Sequence, residues 1–193
     1  MAAYETNVYV LEGDGVYEVD SGSNKIIDKT WSGDALISAF AGNIYIMDKN
    51  GNTIYRYQSQ NNAFPNKENW LSSGTNVAFS NVSQITIDGS IYALYPNAKV
   101  LKFSQGNPQN FSLTGIFPDI GNVDAVYASP DNQYIYLLDS AGKRVVVTDK
   151  KGKYVAQYVG DVIANATNLV ASEADKKIIL LTGDKLYSID IKQ

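Results

Sequence analysis

The chain has 193 residues, of which 45% are hydrophobic and 19% charged, so its composition is that of a folded domain and not of a disordered chain. Its formal net charge of −4 provides no basic surface for phosphates, which argues against nucleic acid and anionic membranes as partners. The lack of histidine and cysteine removes the commonest general base, thiol nucleophiles, disulfides and zinc sites.

A short strand and a β-hairpin open the chain, and the hairpin then recurs. "AAYE" at 2–5 predicts the strand, and "NVYVLEGDGVYEVD" at 7–20 predicts two strands around a glycine turn. Similar hairpins follow as "NIYIMDKNGNTIYRYQ" at 43–58, "SIYALYPNAKVLKFS" at 90–104, "YIYLLDSAGKRVVVTD" at 134–149 and "KIILLTGDKLYSID" at 177–190. One marker position in the first strand of each hairpin carries Tyr9, Tyr45, Tyr92, Tyr136 and Ile179, at separations of 36, 47, 44 and 43 residues.

Each later hairpin is flanked by further apolar segments. Inner strands are predicted before the hairpins, at 35–40, 83–88, 124–129 and 168–172. Weaker outer strands are predicted after the hairpins, at 25–31, 68–73, 110–117 and 153–160. A unit of four short antiparallel strands with a period of roughly 40 to 45 residues is typical of a β-propeller blade.

The repeat therefore predicts an all-β fold, a five-bladed β-propeller formed by a single domain over 1–193. The approximate blades are 1–32, 33–80, 81–121, 122–164 and 165–193. A two-sheet sandwich is the main alternative, but it does not require one motif five times at near-constant spacing. Stacking the blades around an axis buries the apolar faces that a single sheet would expose.

The last blade is predicted to lack its outer strand, because the chain ends with "KLYSIDIKQ" after the third strand. Three arrangements are open: closure with a three-stranded blade, transfer of "MAAYE" to the last unit, or a strand supplied by a partner or a second copy. We expect simple closure and a monomer, with a strand-exchanged oligomer as the alternative.

Two segments resemble known propeller repeats. "NIYIMDKNGNTIYRYQ" at 43–58 resembles the NHL-type repeat, and "SPDNQYIYLLDSAGKRVVVTD" at 129–149 is similar to the YVTN-type repeat of bacterial surface proteins. The resemblance covers nearly all of the chain at the level of blades. It implies the fold and little about function, since propellers host many unrelated activities.

A polar residue recurs just before each predicted inner strand, and these positions form the first candidate site. The residues are Asp34, Asn81, Asn122 and Asn165, with Asp124 close to Asn122. They could form a ring at the mouth of the central channel that binds a small polar ligand or a cation. They could also serve only to start turns through side-chain hydrogen bonds to the backbone. "DKNGN" at 48–52 is interpreted as a hairpin turn and not as a calcium loop.

Aromatic residues provide the second candidate site. Trp31, Tyr57, Phe64, Trp70 and Tyr95 could form a binding platform or belong to the core. The segment 58–70 is predicted to be the longest loop, and its residues Phe64, Pro65 and Trp70 are the candidate partner contact.

Function is predicted to be that of a non-enzymatic module that binds or senses a protein or a small polar ligand. No catalytic residue, metal or cofactor is expected. We expect one domain of a larger bacterial extracytoplasmic protein, with a cytoplasmic location as the alternative. The alternatives are a calcium-dependent lactonase-like hydrolase that uses Asp34 and the asparagine ring, and a lectin-like propeller with one sugar site per blade.

Overall fold

The computed structural model describes residues 1–19, 22–61 and 63–192, and antiparallel strands dominate it. A short 3-10 helix spans Asp161–Asn165. Among the described residues, no helix combines the length and the apolar character needed to cross a membrane.

The strands form five separate antiparallel sheets, each built from consecutive segments in chain order. The first blade contains β1 (Ala2–Tyr4), β2 (Asn7–Glu12), β3 (Gly15–Val19) and β4 (Ser23–Asp28). The second contains β5 (Ala35–Phe40), β6 (Asn43–Asp48), β7 (Thr53–Gln60) and β8 (Ala63–Asn69). The third contains β9 (Gln84–Ile87), β10 (Ser90–Leu94), β11 (Val100–Ser104) and β12 (Asn107–Gln109). The fourth contains β13 (Ala125–Tyr127), β14 (Ile135–Asp139), β15 (Arg144–Thr148) and β16 (Tyr154–Val159). The fifth contains β17 (Asn168–Ser172), β18 (Lys177–Thr182) and β19 (Lys185–Asp190).

This arrangement is a five-bladed β-propeller, so the predicted fold class is confirmed and the two-sheet sandwich is wrong. The last blade has three strands, as predicted. The "MAAYE" segment does not join that blade, because β1 pairs with β2 of its own sheet through Ala2–Tyr9 and Tyr4–Asn7.

Four hydrophobic clusters of the described residues fill the four junctions between successive blades. Alternation along each strand decides which junction a side chain enters. The marker tyrosines face the next blade: Tyr45 packs against the third blade, Tyr92 against the fourth and Tyr136 against the fifth. The residues on either side of a marker face the preceding blade, as Ile44 and Ile46 do.

Side-chain hydrogen bonds join the inner strands of the third and fourth blades. The Gln84 Oε1 accepts from the Val126 N–H at 2.8 Å, and the Thr86 hydroxyl exchanges bonds with the N–H and carbonyl of Ala128 at 3.2 and 3.0 Å. These bonds tie the inner strand of the third blade to that of the fourth.

Two outer strands differ from the prediction. The second blade is completed by residues Ala63–Asn69 and not by 68–73, and the third by Asn107–Gln109 and not by 110–117. Nearly every residue of these two strands is exposed, so burial imposes no alternating pattern that the sequence could reveal. Each contains a proline, which is tolerated because an outer strand has one free edge.

Two sheet faces lie outside the four clusters. The fifth-blade face carries Val170, Ile179, Leu181 and Leu186, of which Leu186 is 71% exposed. The first-blade face carries Val8, Val10 and Val19, of which Val19 is 40% exposed. We use these two names below.

Candidate functional site

A central cavity of about 740 Å³ opens where the inner strands of the first four blades end. Its wall is formed by the carboxyl ends of β1, β5, β9 and β13 and by the residues that follow them. The lining residues are Ala3, Tyr4, Glu5, Ser38, Ala39, Phe40, Ala41, Thr86, Ile87, Tyr127, Ala128, Ser129, Pro130 and Asp131. A concave, preformed pocket is the usual geometry of a ligand site.

The lining combines aromatic rings, hydroxyl groups and negative charge. Tyr4, Phe40 and Tyr127 are half-buried rings, and Glu5 and Asp131 are exposed carboxylates. Burial raises the pKa of Tyr127 above its ordinary value, so its phenol stays neutral at neutral pH. Among the described residues that form the wall, none is a lysine or an arginine. The cavity therefore offers an acidic, aromatic surface.

Lys150 lies directly behind this wall, and its ammonium group donates hydrogen bonds to acceptors of the protein. The Lys150 Nζ donates to the Asp88 carboxylate at 2.5 Å and to the Ser129 carbonyl at 3.2 Å. Asp88 also accepts from the Tyr92 hydroxyl at 3.2 Å, and this contact together with burial raises the pKa of Tyr92. The pair fastens the third blade to the fourth beside the cavity and leaves the charge of Glu5 and Asp131 uncompensated by Lys150.

The polar ring predicted from the sequence lies at the other end of the inner strands. Asp34, Asn81, Asn122 and Asn165 precede β5, β9, β13 and β17, whereas the cavity follows the strand ends. All four side chains are exposed, as is Asp124. None of the five is among the residues lining the central cavity.

The local contacts of the predicted ring match turn-forming roles. The Asn122 Nδ2 donates to the Asp124 carboxylate at 3.0 Å, and that carboxylate accepts from the Ser140 N–H and hydroxyl at 2.9 and 2.6 Å. Asp34 accepts the Lys49 N–H through its backbone carbonyl at 3.0 Å. No group of three or more acidic, histidine or cysteine side chains within residues 1–19, 22–61 and 63–192 is placed to hold a metal ion.

Asp48 of the "DKNGN" segment braces a hairpin turn. Its carboxylate accepts from the Gly51 N–H at 2.9 Å and from the Ser32 N–H at 2.8 Å. Burial acts to raise the pKa of Asp48, but these N–H donors outweigh it and hold the pKa below its ordinary value. The side chain is used inside the protein, and the hairpin-turn interpretation is confirmed.

The predicted partner loop at 58–70 is wrong as a loop, because β7 and β8 form a hairpin there. Phe64 and Pro65 lie in the outer strand β8, and Trp70 follows it. Phe64 packs edge-on against Tyr9 at 6.1 Å between ring centroids, and Trp70 packs likewise against Tyr45 at 6.2 Å. That Phe64, Pro65 and Trp70 contact a partner stays a prediction.

The aromatic platform is divided between two junctions. Trp31, Tyr57 and Phe64 belong to the cluster between the first and second blades. Tyr95 and Trp70 belong to the cluster between the second and third. These rings are core residues, and they do not form one surface.

The sequence analysis did not identify the cavity residues because the sequence does not show which end of each inner strand lies at the cavity. The recurring Asn or Asp before the strands drew attention to one end, whereas the residues near the other end, among them Tyr4, Ser38 and Tyr127, do not repeat one residue type from blade to blade. The detectable signal is positional: aligning the units on their markers would have assembled the residues that close each inner strand.

Comparisons with known proteins give the fold and no family. No family model matches the chain, and no curated protein matches it. Among solved structures, it resembles PorZ, a bacterial surface component of the type-IX secretion system of Porphyromonas gingivalis, with a TM-score of 0.59 and 13% identity over 98% of this chain. It also resembles virginiamycin B lyase from Staphylococcus aureus, solved as a catalytically inactive form with quinupristin, with a TM-score of 0.54 and 15% identity over 93% of the chain.

A third similar structure is that of the nidogen/laminin complex, with a TM-score of 0.65 and 10% identity over 97% of the chain. The chain spans 24% of the PorZ chain, 64% of the lyase chain and 74% of the chain in the nidogen/laminin complex. The three neighbours differ in function, so the likeness defines a β-propeller and leaves the activity to the site.

Proposed function

We propose that this propeller is a non-enzymatic binding module that takes a positively charged group of a protein partner or small ligand into the central cavity. The observation that carries the proposal is the cavity wall, where Glu5 and Asp131 lie with the rings of Tyr4, Phe40 and Tyr127. Aromatic faces and carboxylates both attract cations. A Lys or Arg side chain, or an amine, matches this lining.

The protein-binding form of the proposal has support from the neighbours. One of them comes from a complex of two proteins, and another is a surface component of a secretion system. These facts describe those proteins, and they make a propeller surface a reasonable place to search for a partner here. Sensing or binding without catalysis is also the simplest use of a chain that has no histidine or cysteine.

Thermal melting against a panel of probes tests the proposal. The probes are lysine- and arginine-containing peptides, acidic peptides of the same length, neutral sugars, calcium and EDTA. A ligand at 100 times its dissociation constant adds about 2.7 kcal/mol, a rise of roughly 5 to 10 °C in Tm for a domain of this size. We expect the rise with cationic peptides, and we expect it to shrink with salt.

Matched variants locate the site. Asp131→Asn removes one charge from the cavity, and Asp34→Asn removes one from the predicted ring at the opposite end. We expect Asp131→Asn to abolish the peptide shift and Asp34→Asn to leave it unchanged. The opposite result would move the site to the ring. A calcium shift lost in Asp34→Asn, together with hydrolase activity, would contradict the proposal in favour of a lactonase-like enzyme, and several equivalent sugar sites would favour a lectin.

A further inference from the structure

Three of the four filled junctions share one pattern, in which the same two positions of a blade face the next blade. Two residues after the marker, the second strand carries Met47, Leu94 or Leu138 in the second to fourth blades, and each is fully buried. The third-strand residue paired with that position is Ile54, Val100 or Val145, and each is at most 5% exposed. These rows form the surface that a blade offers to the next one.

The fifth blade carries the same rows, but their residues belong to none of the four clusters found among the described residues. Its marker is Ile179, and the residues in the two rows just described are Leu181 and Leu186, which pair with each other. Leu181 is 39% exposed and Leu186 is 71% exposed. The fifth-blade face thus has the residues of a junction without its partner.

The first blade shows the other half of a junction. Residues beside the markers, such as Ile44, Ile91 and Ile135, are fully buried against the preceding blade. The first-blade position is Val8, which is only half-buried. Val19 pairs with Val8 and is 40% exposed, whereas its counterpart in the third blade, Phe103, is fully buried.

We propose that two copies of this chain associate head to tail, with the fifth-blade face of one copy packed on the first-blade face of the next. Each chain presents both halves of a blade junction, so a second copy supplies the surface that each half lacks. The contact would continue the packing of the four junctions already formed within the chain.

Charged residues next to the inner strands also favour the pairing of the fifth-blade face with the first-blade face. In the junction between the fourth and fifth blades, Glu173 follows the inner strand and accepts from the N–H groups of Gln133 and Tyr134 at 2.8 and 3.0 Å. Glu5 holds the position of Glu173 in the first blade, directly after β1. In the fifth blade, Lys176 and Lys177 hold the positions of Gln133 and Tyr134. Lys177 already pairs with Asp190. Lys176 is therefore the cation that Glu5 of the other copy would meet.

The junction is heterologous, since it uses two different faces. Such contacts either close into a ring or extend into a longer assembly. In both cases one chain can bind a copy at each face, and blocking one face leaves the other able to bind.

Light scattering with size-exclusion chromatography tests this on the 193-residue chain. We expect the mass to rise above 21.1 kDa as the concentration increases, reaching at least twice that value. Leu186→Asp blocks the fifth-blade face, and Val19→Asp blocks the first-blade face. Both side chains are exposed, so we expect both variants to fold and to be monomers on their own. Val8→Asp is a second variant for the first-blade face, and circular dichroism checks the fold of each.

Mixing the two blocked variants is the decisive step. Each retains one intact face, so the mixture must form one-to-one dimers and nothing larger. A mixture that stays monomeric, or a native chain that is monomeric at every concentration, overturns the proposal. A monomer in which both substitutions lower Tm by several degrees would instead assign the two faces to each other within one chain.

Discussion

Leu138 and Leu181 occupy the same row of neighbouring blades, yet Leu138 is fully buried and Leu181 is 39% exposed. Both lie two residues after the marker in the second strand of a blade, and both pair with an apolar residue in the third strand. The difference lies in what covers them, since residues of the fifth blade pack with Leu138, whereas Leu181 belongs to none of the four clusters of the described residues. Residue type and strand register determine which side chains form the surface of a junction. These side chains become buried only where a neighbouring blade packs on them.

The carboxylates that directly follow the inner strands β17 and β1, Glu173 and Glu5, show the same contrast. Glu173 accepts from two N–H groups and from the Tyr136 hydroxyl at 3.1 Å, all in the preceding blade. Glu5 holds the same position in the first blade and is exposed. The same carboxylate position is therefore a structural clamp in one blade and part of the cavity wall in the other.

The largest expected effect comes from truncating the two leucines. Leu138→Ala removes a fully buried side chain and should lower the free energy of unfolding by about 2 to 5 kcal/mol. Leu181→Ala loses less buried surface and should cost under about 1.5 kcal/mol in the monomer. Urea unfolding at low micromolar concentration measures both, and equal losses would contradict the contrast between the two rows.

Substitution of Glu173, which accepts hydrogen bonds from the preceding blade, should give the next largest effect on stability. Glu173→Ala leaves two N–H groups and a hydroxyl without their acceptor, which should cost about 1 to 3 kcal/mol. Glu5→Ala is the matched control, and as a surface substitution it should change the stability of the monomer by no more than about 0.5 kcal/mol. A Glu5→Ala loss as large as that of Glu173→Ala would mean that Glu5 is also clamped in solution.

The smallest expected effect is the pH dependence contributed by Asp48. Backbone N–H donors hold its folded pKa below the ordinary value of 3.8, in spite of burial. The stabilisation is therefore present above that value and is lost as pH falls through the lower folded pKa. The stability difference between the native chain and Asp48→Asn should shrink as urea unfolding is repeated from pH 5 down to pH 2.5. A difference that stays constant over this range would show that the pKa of Asp48 is not depressed.

Repetition made most of the fold predictable from the sequence. The inner strands Ala35–Phe40 and Asn168–Ser172 have the predicted bounds, because their buried residues, such as Ile37 and Leu169, provide an apolar signal in the sequence. The outer strands of the second and third blades were misplaced because exposed segments such as Ala63–Asn69 carry no such signal. The pairing of β1 within its own sheet was the expected arrangement, but the sequence left transfer to the last blade open, since strands pair through the backbone.

The site was less predictable than the fold. Turn geometry favours Asp and Asn at positions such as Asp34 and Asn81, and their regular recurrence drew the prediction to the end of the inner strands opposite the cavity. The cavity residues Glu5, Tyr127 and Asp131 share no residue type. Only the three-dimensional arrangement shows that they line one space.

The central claim is that four junctions are packed while the fifth-blade and first-blade faces stay open in the monomer. Native-state hydrogen exchange of the dilute chain tests it most directly, by comparing β18 and β19 with their counterparts β14 and β15. The account predicts that amides of β14 and β15 exchange only with global unfolding, whereas those of β19 exchange through a local opening of lower free energy. Equal protection of β19 and β15 in the dilute monomer would contradict it.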